Sequence, residues 1–137
     1  MIVTLRGRWN AVSGKGIEKI SDGLKGPSAL VRLNVAWNGL GDRGAEHIGS
    51  ALKDNQVLQF LDVSSNRIGF DGSNRIADGL RENQTLRSLQ LNGNPIGDKG
   101  VVVIIEVSLS VFSASAWALL NPRSNGIAGC GSAVFRP

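Results

Sequence analysis

The sequence predicts an α/β solenoid, with short parallel strands lining one face of a stack and one helix per unit on the other. Three observations carry this. The pattern Leu30-x-x-Leu33-x-Val35-x-x-Asn38-x-Leu40 recurs as Leu58-x-x-Leu61-x-Val63-x-x-Asn66-x-Ile68 and as Leu86-x-x-Leu89-x-Leu91-x-x-Asn94-x-Ile96, offset by 28 residues each time. A glycine pair follows each copy: Gly41/Gly44, Gly69/Gly72 and Gly97/Gly100. A helical apolar stripe then follows in at least the first two. A fixed period in the twenties with one strand and one helix per unit marks a stack whose units bury their faces against their neighbours.

Residues 1–29 read as a weaker copy in the same phase, Ile2-x-x-Leu5-x-Gly7-x-x-Asn10-x-Val12, with Gly16 in the place of Gly44. Gly7 stands where a core aliphatic belongs, so a poorly packed first strand is expected. The pattern begins at residue 2 with no polar cap before it, which reads as an array cut from a longer one. The later strands are expected over 32–36, 60–64 and 88–92, with Leu33/Val35, Leu61/Val63 and Leu89/Leu91 turned inward at period two. Strands that run the same way and are joined by helices form a parallel sheet. The helices are expected to start after the second glycine of each pair. Their buried stripes read Ile17, Ile20, Leu24, then Ala45, Ile48, Leu52, then Ile76 and Leu80 with small Ser73 and Ala77, one face of a helix. Ser21, Gly49 and Ala77 share one position, read as small so that the helix can approach the sheet. Asn55 and Asn83 close two helices in equivalent positions, which suits a C-terminal cap or turn.

Asn10, Asn38, Asn66 and Asn94 recur at the strand exit. They could be a row of polar ligands. Their amides offer both donors and an acceptor, however, and a residue flanked by core aliphatics must satisfy those groups locally. The row is read as scaffold that binds turn backbone of its own unit and the next.

On these motifs the chain resembles leucine-rich repeat proteins of the ribonuclease-inhibitor-like class, whose repeats are close to 28 residues with a helix on the outer face. It is similar in the same way to the repeat regions of NOD-like receptors and of Ran GTPase-activating proteins. The resemblance implies a short curved horseshoe segment, sheet concave and helices convex, that acts as a non-enzymatic protein-interaction module. It also admits a regulator of a nuclease or small GTPase, since unrelated activities share the scaffold. Against those two, the expected concave face offers three arginines and one aspartate, and an acidic tail is missing.

Units are expected near 2–29, 30–57, 58–85 and 86–113, so that 1–113 forms the repeat array. Beyond residue 100 the only charged residues are Glu106, Arg123 and Arg136. Ser108 falls where Leu24, Leu52 and Leu80 stand. A degenerate copy, Trp117-x-x-Leu120-x-Pro122-x-x-Asn125-x-Ile127, can be aligned only with a longer step and a proline in the strand. Residues 114–137 are therefore either a badly formed terminal repeat or a tail that leaves the fold. The apolar run 101–120 approaches the length of a membrane span, but Glu106 and frequent serines favour a helix packed on the sheet. Fraying ends and self-association through 101–120 are expected.

The net charge of +4 and pI near 9.8 suggest nucleic acid, but acidic and basic residues are interspersed with no basic run. Cys130 is the only cysteine, which excludes an intrachain disulfide and disfavours a disulfide-stapled secreted protein. No basic leader followed by an apolar run opens the chain, and a cytoplasmic setting fits best. His47 shares its position with Lys19 and Arg75, a solvated site, and lacks a nucleophile or orienting partner. His47 and Cys130 cannot supply a zinc site. The glycine-rich pieces lack the Gly-Lys-Ser/Thr ending of a phosphate loop. No catalytic, cofactor or metal residues are expected.

What remains is the outward face of the strands. Reading across units gives the rows Thr4, Arg32, Phe60, Ser88; Arg6, Asn34, Asp62, Gln90; Arg8, Ala36, Ser64, Asn92; and Trp9, Trp37, Ser65, Gly93. Neighbouring strands lie about 4.8 Å apart, so Trp9 and Trp37 are expected side by side among Arg6, Arg8 and Arg32, with Phe60 and Asp62 adjoining. Exposed tryptophan with arginine is the composition of protein-binding hot spots. The blander reading is that the tryptophans cover the end of the core. Nucleic-acid binding through the same arginines is the less favoured use of this face.

Overall fold

The computed structural model describes residues 3–6, 11–12 and 14–111 of the chain. Strands and helices alternate through them: β1 (Val3–Arg6), α1 (Gly14–Lys25), β2 (Leu30–Asn34), α2 (Gly41–Asp54), β3 (Phe60–Asp62), α3 (Phe70–Glu82), β4 (Ser88–Gln90) and α4 (Gly97–Val111). The four strands pair in chain order and in parallel. Arg32 stands beside Phe60 and Phe60 beside Ser88, while Asn34, Asp62 and Gln90 form the next row. β1 joins in the same phase, Thr4 on Arg32 and Arg6 on Asn34, with one irregularity at Val3/Thr4. Gly7, Asn10 and the aligned copy after residue 113 lie outside the described residues.

The strands end about two residues earlier than expected, and side chains explain it. Asn34 Oδ1 accepts the N–H of Ala36 at 3.1 Å, and Asp62 Oδ1 accepts the N–H of Ser64 at 3.0 Å. Each folds the backbone into an Asx turn. Pairing nevertheless continues past the regular strand, with the N–H of Val35 donated to Asp62 O and that of Trp37 to Ser64 O, both at 2.9 Å.

The later helices start about a turn earlier than expected, at or just after the first glycine of each pair. The second glycines lie inside the first turn, and packing demands them. A Cβ on Gly44 would lie 2.6 Å from Leu40 Cβ, and one on Gly72 would lie 2.5 Å from Asp42 Oδ1. That carboxylate is there for a reason. Asp42 Oδ1 accepts the N–H groups of Gly69 at 2.6 Å and Gly72 at 3.0 Å. It thereby supplies α3 with the N-terminal acceptor that its own cap residue, Gly69, lacks. Asp42→Ala is expected to lower stability by about 1 kcal/mol, read as a lower urea midpoint. An unchanged midpoint would show that the contact is idle.

The core runs continuously between sheet and helices. Leu33, Leu61 and Leu89 point in from the strands, and Ile17, Ile48, Ile76 and Ile104 come from the helices. Ser108, at the place of Leu52 and Leu80, is buried and donates its hydroxyl to Ile104 O at 2.7 Å, the local solution for a helical serine.

The small residue at Gly49 has a different reason from the one expected. It admits the neighbouring helix, not the sheet. A Cβ there would lie 2.1 Å from Arg75 O, and one on Gly79 would lie 2.3 Å from Gly49 O. α2 and α3 therefore meet backbone to backbone through two glycines.

The asparagine row behaves as a scaffold. Asn66, fully buried, accepts the N–H of Asn38 at 2.8 Å and donates to Val35 O and Val63 O at 2.9 Å each. Asn94 accepts the N–H groups of Asn66 and Ile68 and donates to Val63 O and Leu91 O. Asn38 accepts the N–H of Val12 at 3.0 Å. A second row runs along the opposite end of the strands. Asn55 donates to Leu24 O, and Asn83 donates to Leu52 O and Asn55 O. Their carbonyl oxygens accept the N–H groups of Leu58 and Leu86 as each strand begins. Each unit is thus bonded to the one before it at both ends of its strand.

Candidate protein-interaction surface

The concave surface is built by residues whose side chains alternate away from the core. Among the residues singled out in the sequence, Arg32 and Phe60 stand side by side in the sheet, and Trp37 lies exposed beyond the end of β2. Arg32 is exposed, and its guanidinium carbon lies 4.1 Å from the centroid of the Phe60 ring. It makes no ion pair among the described residues. Stacking of this kind stabilises by about 0.5–1 kcal/mol at an exposed site. More usefully, it holds a long side chain in one direction, so less freedom is lost when a partner binds.

Trp37 stands at the strand exit, 44% exposed, in a backbone conformation its size does not favour. Its φ is +63°, and the equivalent residues Ser65 and Gly93 have φ of +53° and +64°. The left-handed region costs a residue with a Cβ roughly 1–2 kcal/mol. One unit fills this position with glycine. The present unit places its largest side chain there and leaves much of it in solvent. Strain kept in this way motivates a functional reading.

Asp62 is placed differently from the other three. It is only 8% exposed. One carboxylate oxygen takes the Ser64 N–H and the other takes the Asn34 side-chain amide at 2.8 Å. Asp62 therefore fixes Asn34 on the surface. The backbone of Arg6 lies beside Asn34 in the sheet, while Arg8 and Trp9 lie outside the described residues.

The convex side offers a contrast. A groove between α2 and α3 is lined by Asp42, Glu46, Asp71 and Asp78 with Arg43 and Arg75, a mixed-charge solvated surface without an aromatic residue. His47 is half-buried on α2. Among the described residues no group of three His, Cys, Asp or Glu is placed to hold a metal, and no helix is long and apolar enough to cross a membrane.

The leucine-rich repeat family model matches residues 28–49, 54–72 and 82–104, which supports assigning this array to the leucine-rich repeats. No curated protein matches the sequence. Among solved structures the fold is similar to leiomodin-1 actin-binding site 2, with a TM-score of 0.72 at 20% identity over 77% of this chain. The chain spans 63% of that structure's length. The likeness at this identity is one of fold. A leucine-rich repeat fold supports a generic role in protein interaction.

Proposed function

We propose that the chain is a protein-interaction module that seats its partner on the concave strand face, with Trp37, Arg32 and Phe60 at the centre of contact. The observation that carries this is Trp37, an exposed aromatic retained in a left-handed conformation just beyond the strand that carries the stacked Arg32. Arg6, Arg8 and Trp9 extend the surface toward the first unit, and Asp62 supports it by holding Asn34. The partner is a protein, met in the cytoplasm. The 28-residue spacing and a full helix in each described unit favour the ribonuclease-inhibitor-like class, with residues 1–113 as the array. Residues 101–120 add an apolar segment that associates with other copies.

Partner capture with the wild type and with Trp37→Ala/Phe60→Ala tests the proposal. Purified actin is a reasonable first bait, because the similar solved structure is an actin-binding site. The double variant is expected to bind at least about 10-fold more weakly, the effect of losing one or two hot-spot side chains. Trp37→Gly should weaken binding too while leaving stability within about 1 kcal/mol of wild type, since glycine relieves the left-handed strain. Unchanged affinity in a folded double variant would remove the concave face as the site.

A further inference from the structure

Charge is mixed along the chain but divided between the two sides of the fold. Every aspartate and glutamate except Asp62 lies on one of the helices α1 to α4. The segments that join those helices carry β2, β3 and β4, and their charged residues are Arg32, Asp62, Arg67 and Arg87. Asp62 has little charge to offer a partner. It is 8% exposed, with one carboxylate oxygen taken by the Ser64 N–H and the other by the Asn34 amide. Arg32, Arg67 and Arg87 are all exposed.

The helices answer their own charges. Both ion pairs among the described residues are helical, Lys53 with Glu82 and Arg81 with Asp78. Arg32, Arg67 and Arg87 enter neither. Arg32 stands beside Phe60 in the sheet, Arg87 immediately precedes Phe60's other neighbour Ser88, and Arg67 follows in the turn after β3. The strand side therefore carries positive charge that no carboxylate of the described residues neutralises. Arg32 is the best prepared of the three, with its guanidinium carbon 4.1 Å from the Phe60 centroid. Stacking uses the flat face of a guanidinium. Its N–H donors lie in the plane and remain free at the edge.

We infer that the partner presents an acidic peptide segment to the strand face, with a carboxylate on Arg32 and an apolar side chain against Trp37. The inference rests on the concave-face proposal above and names the chemistry of what binds there. The planar fork of Arg32 suits a carboxylate, which takes two parallel bonds from it. Opposite charges also draw the partner to this side of the fold and away from the helices, where the chain's other carboxylates lie. A nucleic acid fits less well. The ring face of Phe60 is occupied by Arg32, so that ring is no platform for a base. A phosphate backbone needs several cations in succession, and here Asp62 stands between them.

Fluorescence polarisation of the full chain with labelled probes tests this. The probes are a glutamate–leucine peptide, its glutamine–leucine counterpart and a mixed-sequence single-stranded oligonucleotide. The glutamate peptide is expected to bind at least about 10-fold more tightly than the glutamine peptide. Arg32→Gln should abolish that preference. Arg32→Lys should keep only part of it, because lysine retains the charge and loses the fork. Arg75→Gln, on the exposed side of α3, should leave it unchanged. Trp37→Ala should weaken both peptides alike. Equal binding of the two peptides, still weakened by Trp37→Ala, would overturn the acidic partner and leave the concave face standing. A glutamate preference that survives Arg32→Gln would overturn the inference by placing the acidic site elsewhere. Tighter binding of the oligonucleotide, lost in Arg32→Gln, would assign the face to nucleic acid instead. Failure of both peptides to bind would also overturn the inference, while partner capture tests the concave face separately.

Discussion

Asn66→Ala is expected to destabilise the chain by about 3–4 kcal/mol, because it orphans backbone groups in two units at once, each costing roughly 1–3 kcal/mol when left unpaired. The side chain is fully buried. Its amide donates to Val35 O in the preceding unit and to Val63 O and Ser64 O in its own, while its oxygen accepts the N–H of Asn38 at 2.8 Å and more weakly that of Leu40 at 3.4 Å. No water-sized replacement can reproduce that fan of donors and acceptors from one point. Asn66→Asp should be comparably harmful, since a carboxylate keeps the acceptor but cannot donate to three carbonyl oxygens. Equilibrium urea denaturation reads both. A loss below about 1 kcal/mol, the net worth of a single ordinary hydrogen bond, would show that the row is dispensable.

Gly49→Val should cost at least about 3 kcal/mol, the upper range for forcing atoms into a filled interior. The obstacle is unusual in being backbone. A Cβ at this site meets Arg75 O at 2.1 Å and Arg75 C at 2.7 Å, so no side-chain rotamer change relieves the clash. α2 and α3 would have to separate, which also loosens the contact of Gly79 with Gly49. Even Gly49→Ala is expected to be destabilising, although alanine is the better helix former by roughly 1 kcal/mol. A melting temperature raised by Gly49→Ala would mean that the two helices are not as close as the structure has them.

The sequence makes the columns of this array legible and its diagonals illegible. Equivalent positions recur at a fixed offset, so the pairing of Arg32, Phe60 and Ser88 and the inward row of Leu33, Leu61 and Leu89 follow from counting alone. The strand-exit asparagines are readable because a polar residue repeated among core aliphatics has to satisfy its amide within the scaffold. Contacts between non-equivalent positions leave no such trace. Gly49 meets Gly79 and Asp42 caps Gly69 and Gly72, and none of these pairs shares a column. Asn83 reads as a local cap for the same reason, since only the structure shows it reaching back to the non-equivalent Leu52 O.

At the candidate surface the row Arg32–Phe60 is readable, but its stacking is not, because the direction of a long side chain is set by its surroundings. The left-handed backbone of Trp37 is hinted at only by Gly93 in its column, since tryptophan is not a residue one expects at positive φ. Asp62 shows the opposite failure. Its row position is legible, but its engagement with Ser64 and Asn34 depends on a local turn that period counting does not reveal.

The central claim is that the units are held as one stack by side-chain bonds that cross between them, and native-state hydrogen exchange of wild type and Asn66→Ala tests it most directly. In the wild type the amides of Leu33, Leu61 and Leu89 should exchange slowly, at the rate of global opening. In Asn66→Ala, Leu33 and Leu61 should accelerate together and by a similar factor, because the lost side chain bonded both of their units. Acceleration confined to Leu61 and its immediate neighbours, with Leu33 protected as before, would contradict the account and make each unit's stability its own.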